Sequence, residues 1–166
     1  MVTPAVDTQM LERVQNALAE IQDPEIPVLS LVDLGIVRGV EVHGDAVTVR
    51  LTPTFAGCPA LHVMRQEVEQ RLRSLGFASV RVETVLDPPW TTDDLGPAAR
   101  EKLRGFGLAP PLRPAAAVAL RPEEPVACPR CGSLDTELRN AFGATACRTI
   151  RYCRACQEPF EGFKPV

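Results

Sequence analysis

The cysteines of this chain fall into two groups that suggest different chemistries. "CPRCG" (residues 128–132) and "CRAC" (residues 153–156) are two C-x2-C pairs separated by 21 residues. Two thiolates three residues apart on a tight turn can occupy two corners of a tetrahedron around a metal. The spacing therefore predicts a structural zinc site held by Cys128, Cys131, Cys153 and Cys156. Iron in the same four sulfurs, or an iron–sulfur cluster, is the alternative.

A fifth thiol, Cys147, lies between the two pairs. It can be a small buried residue, or it can replace one of the four ligands, and the sequence leaves both readings open. The stretches "TELRNAF" and "RTIRY" are predicted to form the short strands of a zinc ribbon. A module of this size is expected to fold only with its metal bound.

The sixth cysteine, Cys58, stands alone in "TPTFAGCPALH". Pro59 suits the first turn of a helix, which places Cys58 at or near the N-cap, where free backbone N–H groups stabilise an anion. A thiol in that position is expected to be more acidic and more nucleophilic. The alternatives are an inert buried cysteine, or an acyl-transfer pair with His62, for which no third, orienting group is evident.

Other polar residues have simpler interpretations. His43, beside a predicted hairpin turn, is interpreted as a solvated loop histidine. Asp23, Glu25 and Asp33 lie in a proline-containing stretch and are predicted to cap or close turns.

Two helices and three strands must position Cys58. The spacing of Met10, Val14, Leu18 and Ile21 predicts a helix that Asp7 caps and that Pro24 ends. Two valine-rich runs, 36–43 and 46–51, joined by Gly44-Asp45, predict a hairpin. A second helix carries Leu61, Met64, Val68, Leu72 and Leu75 on one side and ends at Gly76, and a third strand follows over 80–86. The order predicts a small α+β domain with both helices on one face of a three-stranded sheet.

The length of 166 residues allows one ordinary core and a small appendage. A short helix over 97–104 precedes "APPLRPAAAVALRPEEPVA", which has five prolines and no glycine and favours a semi-rigid extended spacer. These features predict an α+β domain over 1–108, a linker over 109–125 and a zinc ribbon over 126–166.

Charge and hydropathy limit the partners. The net charge is −3 and no cluster of Lys and Arg is present, which argues against nucleic-acid binding. No apolar run approaches the ~20 residues that span a bilayer, so we expect a cytoplasmic protein without a membrane anchor. In a reducing compartment the cysteines would be thiols or metal ligands rather than disulfides.

Several ordered motifs resemble a known family. "DPEIPVLSLVDLGIV" followed by "TPTFAGCPA" is similar to the iron–sulfur assembly domain of bacterial SUF-pathway accessory proteins and eukaryotic cytosolic cluster-targeting factors. "DPPWTTD", "REKLRGFGLAPP", "CPRCGS", "FGATACRTIRYC" and "CQEPFEGFKP" resemble one branch, the D components of ring 1,2-phenylacetyl-CoA epoxidase systems. The resemblance runs from about residue 11 to residue 165.

The resemblance implies an accessory role in aerobic phenylacetate degradation. Partners would be a di-iron oxygenase and an iron–sulfur flavoprotein reductase, and the D component would mature or load one of their metal centres. The family's reactive cysteine falls on Cys58, its acidic motif on Asp23, Pro24 and Glu25, and an additional cysteine on Cys147. Its ribbon cysteines are Cys128, Cys131, Cys153 and Cys156. Zinc is the implied resident cofactor, with iron or a cluster held transiently at Cys58.

Three classes of function remain from the sequence. The first is a non-enzymatic assembly factor that uses Cys58 with Glu25 and Asp23. The second is a subunit that only bridges the oxygenase and the reductase, and the third is a thiol enzyme that uses Cys58 with His62. A set of di-iron carboxylate ligands is missing, because Glu-x-x-His occurs on neither main helix. The chain is therefore not predicted to be the oxygenase, and whether it forms a homodimer is left open.

Overall fold

A computed structural model describes residues 8–55, 57–111 and 126–164. The chain divides into two compact units, Met1–Trp90 and Thr91–Val166. Each unit is described by itself below.

The first unit is a three-stranded sheet covered by two helices. Its elements are α1 (Thr8–Glu20), β1 (Val37–His43), β2 (Ala46–Leu51), α2 (Ala60–Ser74) and β3 (Ser79–Thr84). The strand order is β1-β2-β3, with β1 and β2 antiparallel and β2 and β3 parallel. Since α1 contacts β1, α2 contacts β3 and the two helices contact each other, both lie on one face. The predicted α+β arrangement is confirmed.

The core of the first unit follows the predicted periodicities. Val47, Val49 and Leu51 alternate along β2 and are buried. Their helical counterparts are the buried residues Val14 and Leu18 of α1 and Met64, Val68 and Leu72 of α2. At the hairpin turn Gly44 has a φ of +61°, a conformation that glycine adopts without steric cost.

The end of the third strand differs from the prediction, and the predicted cap of α1 is not among the described residues. The third strand ends at Thr84 rather than at Leu86, because the prolines that follow cannot continue a hydrogen-bonded ladder, and Leu86 is exposed. Trp90 ends the first unit as a buried residue whose Nε1 donates to the carbonyl oxygen of Leu34 at 2.7 Å. At the other end α1 begins at Thr8, and the predicted cap Asp7 lies outside the described residues.

The second unit is a four-stranded sheet preceded by a helix. Its elements are α3 (Pro97–Gly105), β4 (Leu108–Ala109), β5 (Thr136–Asn140), β6 (Arg148–Cys153) and β7 (Glu158–Phe163). The strand order is β4-β7-β6-β5, with β5, β6 and β7 antiparallel and β4 parallel to β7. The two predicted ribbon strands are present, and the first ends at Asn140, two residues earlier than expected.

Strand β7 was not predicted, because Pro159 and Gly162 are both unfavourable within strands. The glycine has a packing reason. A Cβ at Gly162 would lie 3.0 Å from Thr149 Oγ1 on the adjacent strand, so a larger residue would require the Thr149 side chain to shift. Local sequence preferences do not reveal such a close contact between residues of two strands.

The predicted linker over 109–125 is only partly described. Its first residue, Ala109, is buried in β4 rather than in a spacer, and residues 112–125 lie outside the described part of the chain. The division into domains 1–108 and 126–166 therefore stays a prediction. None of the described helices is long and apolar enough to cross a membrane.

Candidate metal sites

The four paired cysteines of the second unit meet at one point. The sulfur of Cys128 is 3.8 Å from that of Cys156, and the sulfur of Cys131 is 3.6 Å from that of Cys153. All four sulfurs lie within 4.8 Å of one another. A tetrahedral site with metal–sulfur bonds of ~2.3 Å has sulfur–sulfur edges of about 3.8 Å. The four thiols therefore fit a single tetrahedral ion such as zinc, and they leave no position open for an outside ligand.

Each C-x2-C pair is followed directly by a residue in the left-handed conformation. Gly132 follows the first pair with a φ of +75°, and Gln157 follows the second with a φ of +60°. In the first turn the N–H of Gly132 donates to the Cys128 carbonyl at 2.9 Å. The sequence indicated the turn at Gly132, but Gln157 has the same backbone role without the glycine that would have signalled it.

Protonation of the cluster depends on its surroundings. The pKa of Cys153 is lowered to about 7, mainly by a hydrogen bond from the backbone N–H of Cys156. Burial raises the pKa of Cys156 to about 12. A bound cation would favour the thiolate at both positions, so metal affinity should fall as protons compete at lower pH.

Cys147 is outside the four-sulfur group. It lies in the turn before β6, where its sulfur is 3.1 Å from Thr145 Oγ1 and its carbonyl accepts the N–H of Lys164 at 2.8 Å. The side chain is half-buried. In this arrangement Cys147 contributes no ligand to the cluster.

Cys58 lies at the start of α2 in the first unit. The helix begins at Ala60 with Pro59 as its N-cap, so Cys58 comes one residue earlier than a cap position. Its N–H donates to the Phe55 carbonyl at 3.1 Å, and its own carbonyl accepts the N–H of Leu61 at 3.3 Å. This turn holds a half-buried thiol at the amino end of the helix.

The pKa of Cys58 is raised above its usual value. Burial is the largest cause, and the negative charges of Glu25 and Asp23 raise it further. The backbone N–H groups of Ala60 and Leu61 lower this pKa, as the helix-end argument predicts, but each lowers it less than burial raises it. The expectation of a more acidic thiol is therefore wrong in its net direction, because the sequence does not reveal burial or the neighbouring carboxylates.

Asp23 organises the loop that carries Glu25. Its buried carboxylate accepts the N–H of Glu25 and the N–H of Ile26, both at 2.7 Å, and its own N–H donates to the Leu29 carbonyl at 2.8 Å. The predicted turn role of Asp23 is confirmed. Glu25 is partly exposed, and both carboxylates act electrostatically on Cys58. The structure thus brings Cys58, Glu25 and Asp23 into one neighbourhood.

The remaining candidates are separate from this group. His62 and His43 are exposed. Among the described residues neither side chain has a hydrogen-bond partner, so His62 makes no hydrogen bond to Cys58. Asp33 closes a turn with Ser30: its carboxylate accepts the Ser30 N–H at 2.9 Å, and its N–H donates to Ser30 Oγ at 3.0 Å. The predicted turn role of Asp33 is confirmed, and the Ser-x-x-Asp spacing could also have identified its partner Ser30.

Comparisons with known proteins agree with this division into two parts. Residues 11–84 match a family model described as "Iron-sulfur cluster assembly protein", and residues 113–164 match one described as "PaaD zinc beta ribbon domain". A protein from Escherichia coli (strain K12), named as the putative D component of 1,2-phenylacetyl-CoA epoxidase, is 45% identical over 90% of this chain and 89% of its own length.

Other relatives match a little more than half of the chain. An "Fe-S protein maturation auxiliary factor" from Porphyromonas gingivalis (strain ATCC BAA-308 / W83) is 34% identical over 59% of this chain and 93% of its own length. The crystal structure of a DUF59 domain from Bacillus anthracis has a TM-score of 0.54 at 23% identity, covering 58% of this chain and 92% of that one. At that identity the likeness supports the fold alone.

Proposed function

The chain belongs to the family of phenylacetyl-CoA epoxidase D components, and from this premise we propose that it is an accessory factor that delivers iron or an iron–sulfur cluster to a partner protein. The names of the relatives support both halves of the proposal. One relative is named as an epoxidase component and another as an iron–sulfur protein maturation factor, and the iron–sulfur assembly family model covers residues 11–84, which include Cys58. In this role the chain is not itself an oxygenase.

The observation that carries the proposal is a half-buried Cys58 thiol within electrostatic range of Glu25 and Asp23. Burial and the two negative charges keep the thiol protonated near neutral pH. A metal cation reverses this preference, because it replaces the proton and offsets the carboxylate charges. The same surroundings that suppress a free thiolate therefore favour a thiolate bound to a cation.

The ligand set at Cys58 is incomplete. Cys58 offers one sulfur and Glu25 one carboxylate, whereas the carboxylate of Asp23 already accepts two backbone N–H groups. Iron in a four-ligand site needs further donors, which a second copy of the chain, a small thiol or the recipient protein can supply. Incomplete ligation makes the bound cargo labile, which suits donation rather than storage.

The thiol-enzyme interpretation has less support. A nucleophilic cysteine needs a stabilised thiolate or an adjacent base, and the pKa of Cys58 is raised instead. His62, the base in that interpretation, is exposed and makes no hydrogen bond to Cys58 within the described residues.

The ribbon has a structural role in this proposal. Its four cysteines form a closed set that fits zinc, so the resident metal would hold β5, β6 and β7 together and take no part in delivery. The recipients would be the di-iron oxygenase or the iron–sulfur flavoprotein reductase of the same system, in the cytoplasm.

Co-expression of the oxygenase and reductase proteins with either the wild-type chain or Cys58→Ser tests the proposal. Serine is close in size to cysteine, so the variant should fold and keep its zinc. We expect the purified partners to contain several-fold less iron and to epoxidise poorly with an independent electron donor. His62→Ala, one helical turn away, serves as the matched control and should behave as wild type. Normal iron and normal turnover with Cys58→Ser would refute delivery and favour a bridging role.

A further inference from the structure

The four cluster cysteines of the ribbon differ in their exposure to solvent. Cys153 and Cys128 are buried and Cys156 is partly buried, whereas Cys131 is exposed. A reactant that arrives from solvent therefore meets Cys131 first. Bound zinc would hold that sulfur as a thiolate, which is the form that oxidants attack. Oxidation of this cluster should begin at Cys131.

Two short sulfur–sulfur contacts connect the two C-x2-C turns. The sulfur of Cys131 lies 3.6 Å from that of Cys153, and the sulfur of Cys128 lies 3.8 Å from that of Cys156. Since a disulfide bond is about 2.05 Å long, the sulfurs of Cys131 and Cys153 need to approach by about 1.6 Å to form one. Such a bond would link the same two turns that a bound zinc ion links.

The cysteines also belong to the apolar core of the ribbon. Cys128 and Cys153 are buried in one cluster with residues of β4 and β7 and of the segment before the first turn, and Cys156 packs against it; these neighbours are Ala109, Val126 and Phe160. A cross-link between the two turns would hold this cluster together after the zinc has left. Removal of zinc by a chelator leaves the turns without any link.

We propose that the ribbon is a peroxide-sensitive site in which Cys131 and Cys153 form a disulfide and release the zinc. The Cys131 thiolate attacks one oxygen of hydrogen peroxide, which breaks the O–O bond, forms a sulfenic acid and releases hydroxide. The Cys153 thiolate then attacks the Cys131 sulfur, forms the S–S bond and displaces a second hydroxide. The two thiolates lose two electrons and the peroxide gains them. The metal keeps two of its four sulfur ligands and dissociates, and a dithiol reductant reverses the oxidation.

Peptide mapping of the full, zinc-loaded chain tests which sulfurs react. Coordination makes a thiolate less nucleophilic, so hydrogen peroxide is added in large excess, and the released zinc is followed with a chromophoric chelator. Free thiols are then alkylated and the chain is cut with trypsin. All six cysteines fall on separate tryptic peptides, because arginines separate them in the sequence. We expect peptides 131–139 and 152–154 to be joined by one disulfide for each zinc released.

Two histidine variants separate the exposed sulfur from the cluster as a whole. Cys131→His and Cys156→His each leave three sulfurs and one imidazole, a set that holds structural zinc in other proteins. Cys131→His should release zinc at least about tenfold more slowly, because the reacting sulfur is gone. Cys156→His is the matched control: it keeps Cys131 and Cys153 and should react within about twofold of the wild-type rate. Zinc content is measured before peroxide is added, and the wild-type peptide map decides the question should either variant lack zinc.

Further variants remove the thiols outside the cluster. Cys147 is half-buried and contributes no ligand, so Cys147→Ser should release zinc at the wild-type rate. Cys58→Ser should do the same, which makes the result independent of the delivery function. In amide exchange, β6 and β7 of the oxidised, zinc-free chain should stay better protected than those of the chelator-treated chain.

Four results would overturn the proposal. One is a first disulfide within a turn, between Cys128 and Cys131, and another is full zinc occupancy after Cys131 has been oxidised. The third is slower release from Cys147→Ser, which would make that thiol the point of attack. The fourth is equal loss of amide protection in the oxidised and the chelator-treated chains, which would show that the disulfide does not replace the metal.

Discussion

The two thiol sites differ in how completely the chain surrounds a metal. In the ribbon, four sulfurs lie within 4.8 Å of one another and satisfy a tetrahedral ion without outside help. At the start of α2, the one sulfur of Cys58 is influenced by the charges of two carboxylates and by two backbone N–H groups. A complete ligand set retains its metal, whereas an incomplete one leaves positions that a recipient can fill. In the proposed function, the same residue type would serve stability in one unit and transfer in the other.

Backbone support also differs between the sites. Each ribbon cysteine pair lies on its own turn, with Gly132 and Gln157 in left-handed conformation. The surroundings of Cys58 come instead from two separate segments, the α2 start and the loop that Asp23 closes. Loss of one ribbon ligand should therefore unfold the ribbon, whereas loss of the Glu25 carboxylate should change only the chemistry of Cys58.

The largest expected effect is the loss of a ribbon ligand. Cys153 is fully buried within the cluster, and Cys153→Ser replaces a sulfur ligand by a poor one. Since structural zinc contributes roughly 10–16 kcal/mol of apparent binding free energy, the variant should lose zinc and the protection of β5, β6 and β7 from hydrogen exchange. The first unit should stay protected.

Zinc analysis and amide exchange on the full chain provide this measurement. Cys147→Ser is the matched control, because Cys147 is outside the cluster, and it should retain its zinc. A protected ribbon in zinc-free Cys153→Ser would show that the sheet does not need its metal.

An intermediate effect is expected at Asp23. Asp23→Ala leaves the N–H groups of Glu25 and Ile26 without their acceptor and should lower the free energy of unfolding by about 1–3 kcal/mol. Asp23→Asn keeps an acceptor oxygen and removes the charge, so its cost should be smaller. Denaturant unfolding followed by the fluorescence of Trp90, the one tryptophan in the chain, measures the first unit directly. Equal stability of the Ala and Asn variants would contradict a positioning role.

The smallest effect is expected at Glu25, where only charge is at issue. The Glu25 carboxylate helps to raise the pKa of Cys58, so Glu25→Gln should lower that pKa and increase the thiolate fraction at pH 8. Alkylation of Cys58 by iodoacetamide should then be about two- to threefold faster, since the thiolate is the reacting form. Cys147 is the internal reference thiol, and bound zinc should mask the ribbon cysteines. A slower reaction would mean that the carboxylate does not act on the thiol.

The sign of the pH dependence follows from the same shift. Because the folded-state pKa of Cys58 is raised, folding favours the protonated thiol. Its contribution to stability is present below the pKa of the unfolded thiol and is lost as the pH rises through the folded-state value.

Regular spacing made much of the molecule predictable. The alternation along β2, the spacing of Val14 and Leu18, and the C-x2-C pairs each depend on a local geometric rule, and the structure follows all three. The features that were missed depend on contacts between distant segments. Strand β7 contains Gly162, which packs closely against Thr149 of the neighbouring strand β6.

The local structure around Cys58 was predictable from the sequence, but the direction of its pKa shift was not. The turn, Pro59 and the helix start could be inferred from the sequence. The direction of the Cys58 pKa shift could not, because it depends on burial and on the approach of Glu25 from a loop 33 positions earlier in the chain. Long-range desolvation has no sequence signature of its own.

Metal release from the full chain tests the contrast between a retained and a transferable metal most directly. Zinc-containing wild type and Cys58→Ser are loaded anaerobically with ferrous iron and then mixed with a chelator, and both metals are followed over time. Wild type should bind iron that Cys58→Ser does not bind, and should lose it to the chelator while the zinc stays at about one per chain. Equal iron binding by the two proteins, or iron as inert to the chelator as zinc, would contradict the assignment of Cys58 as a transfer site.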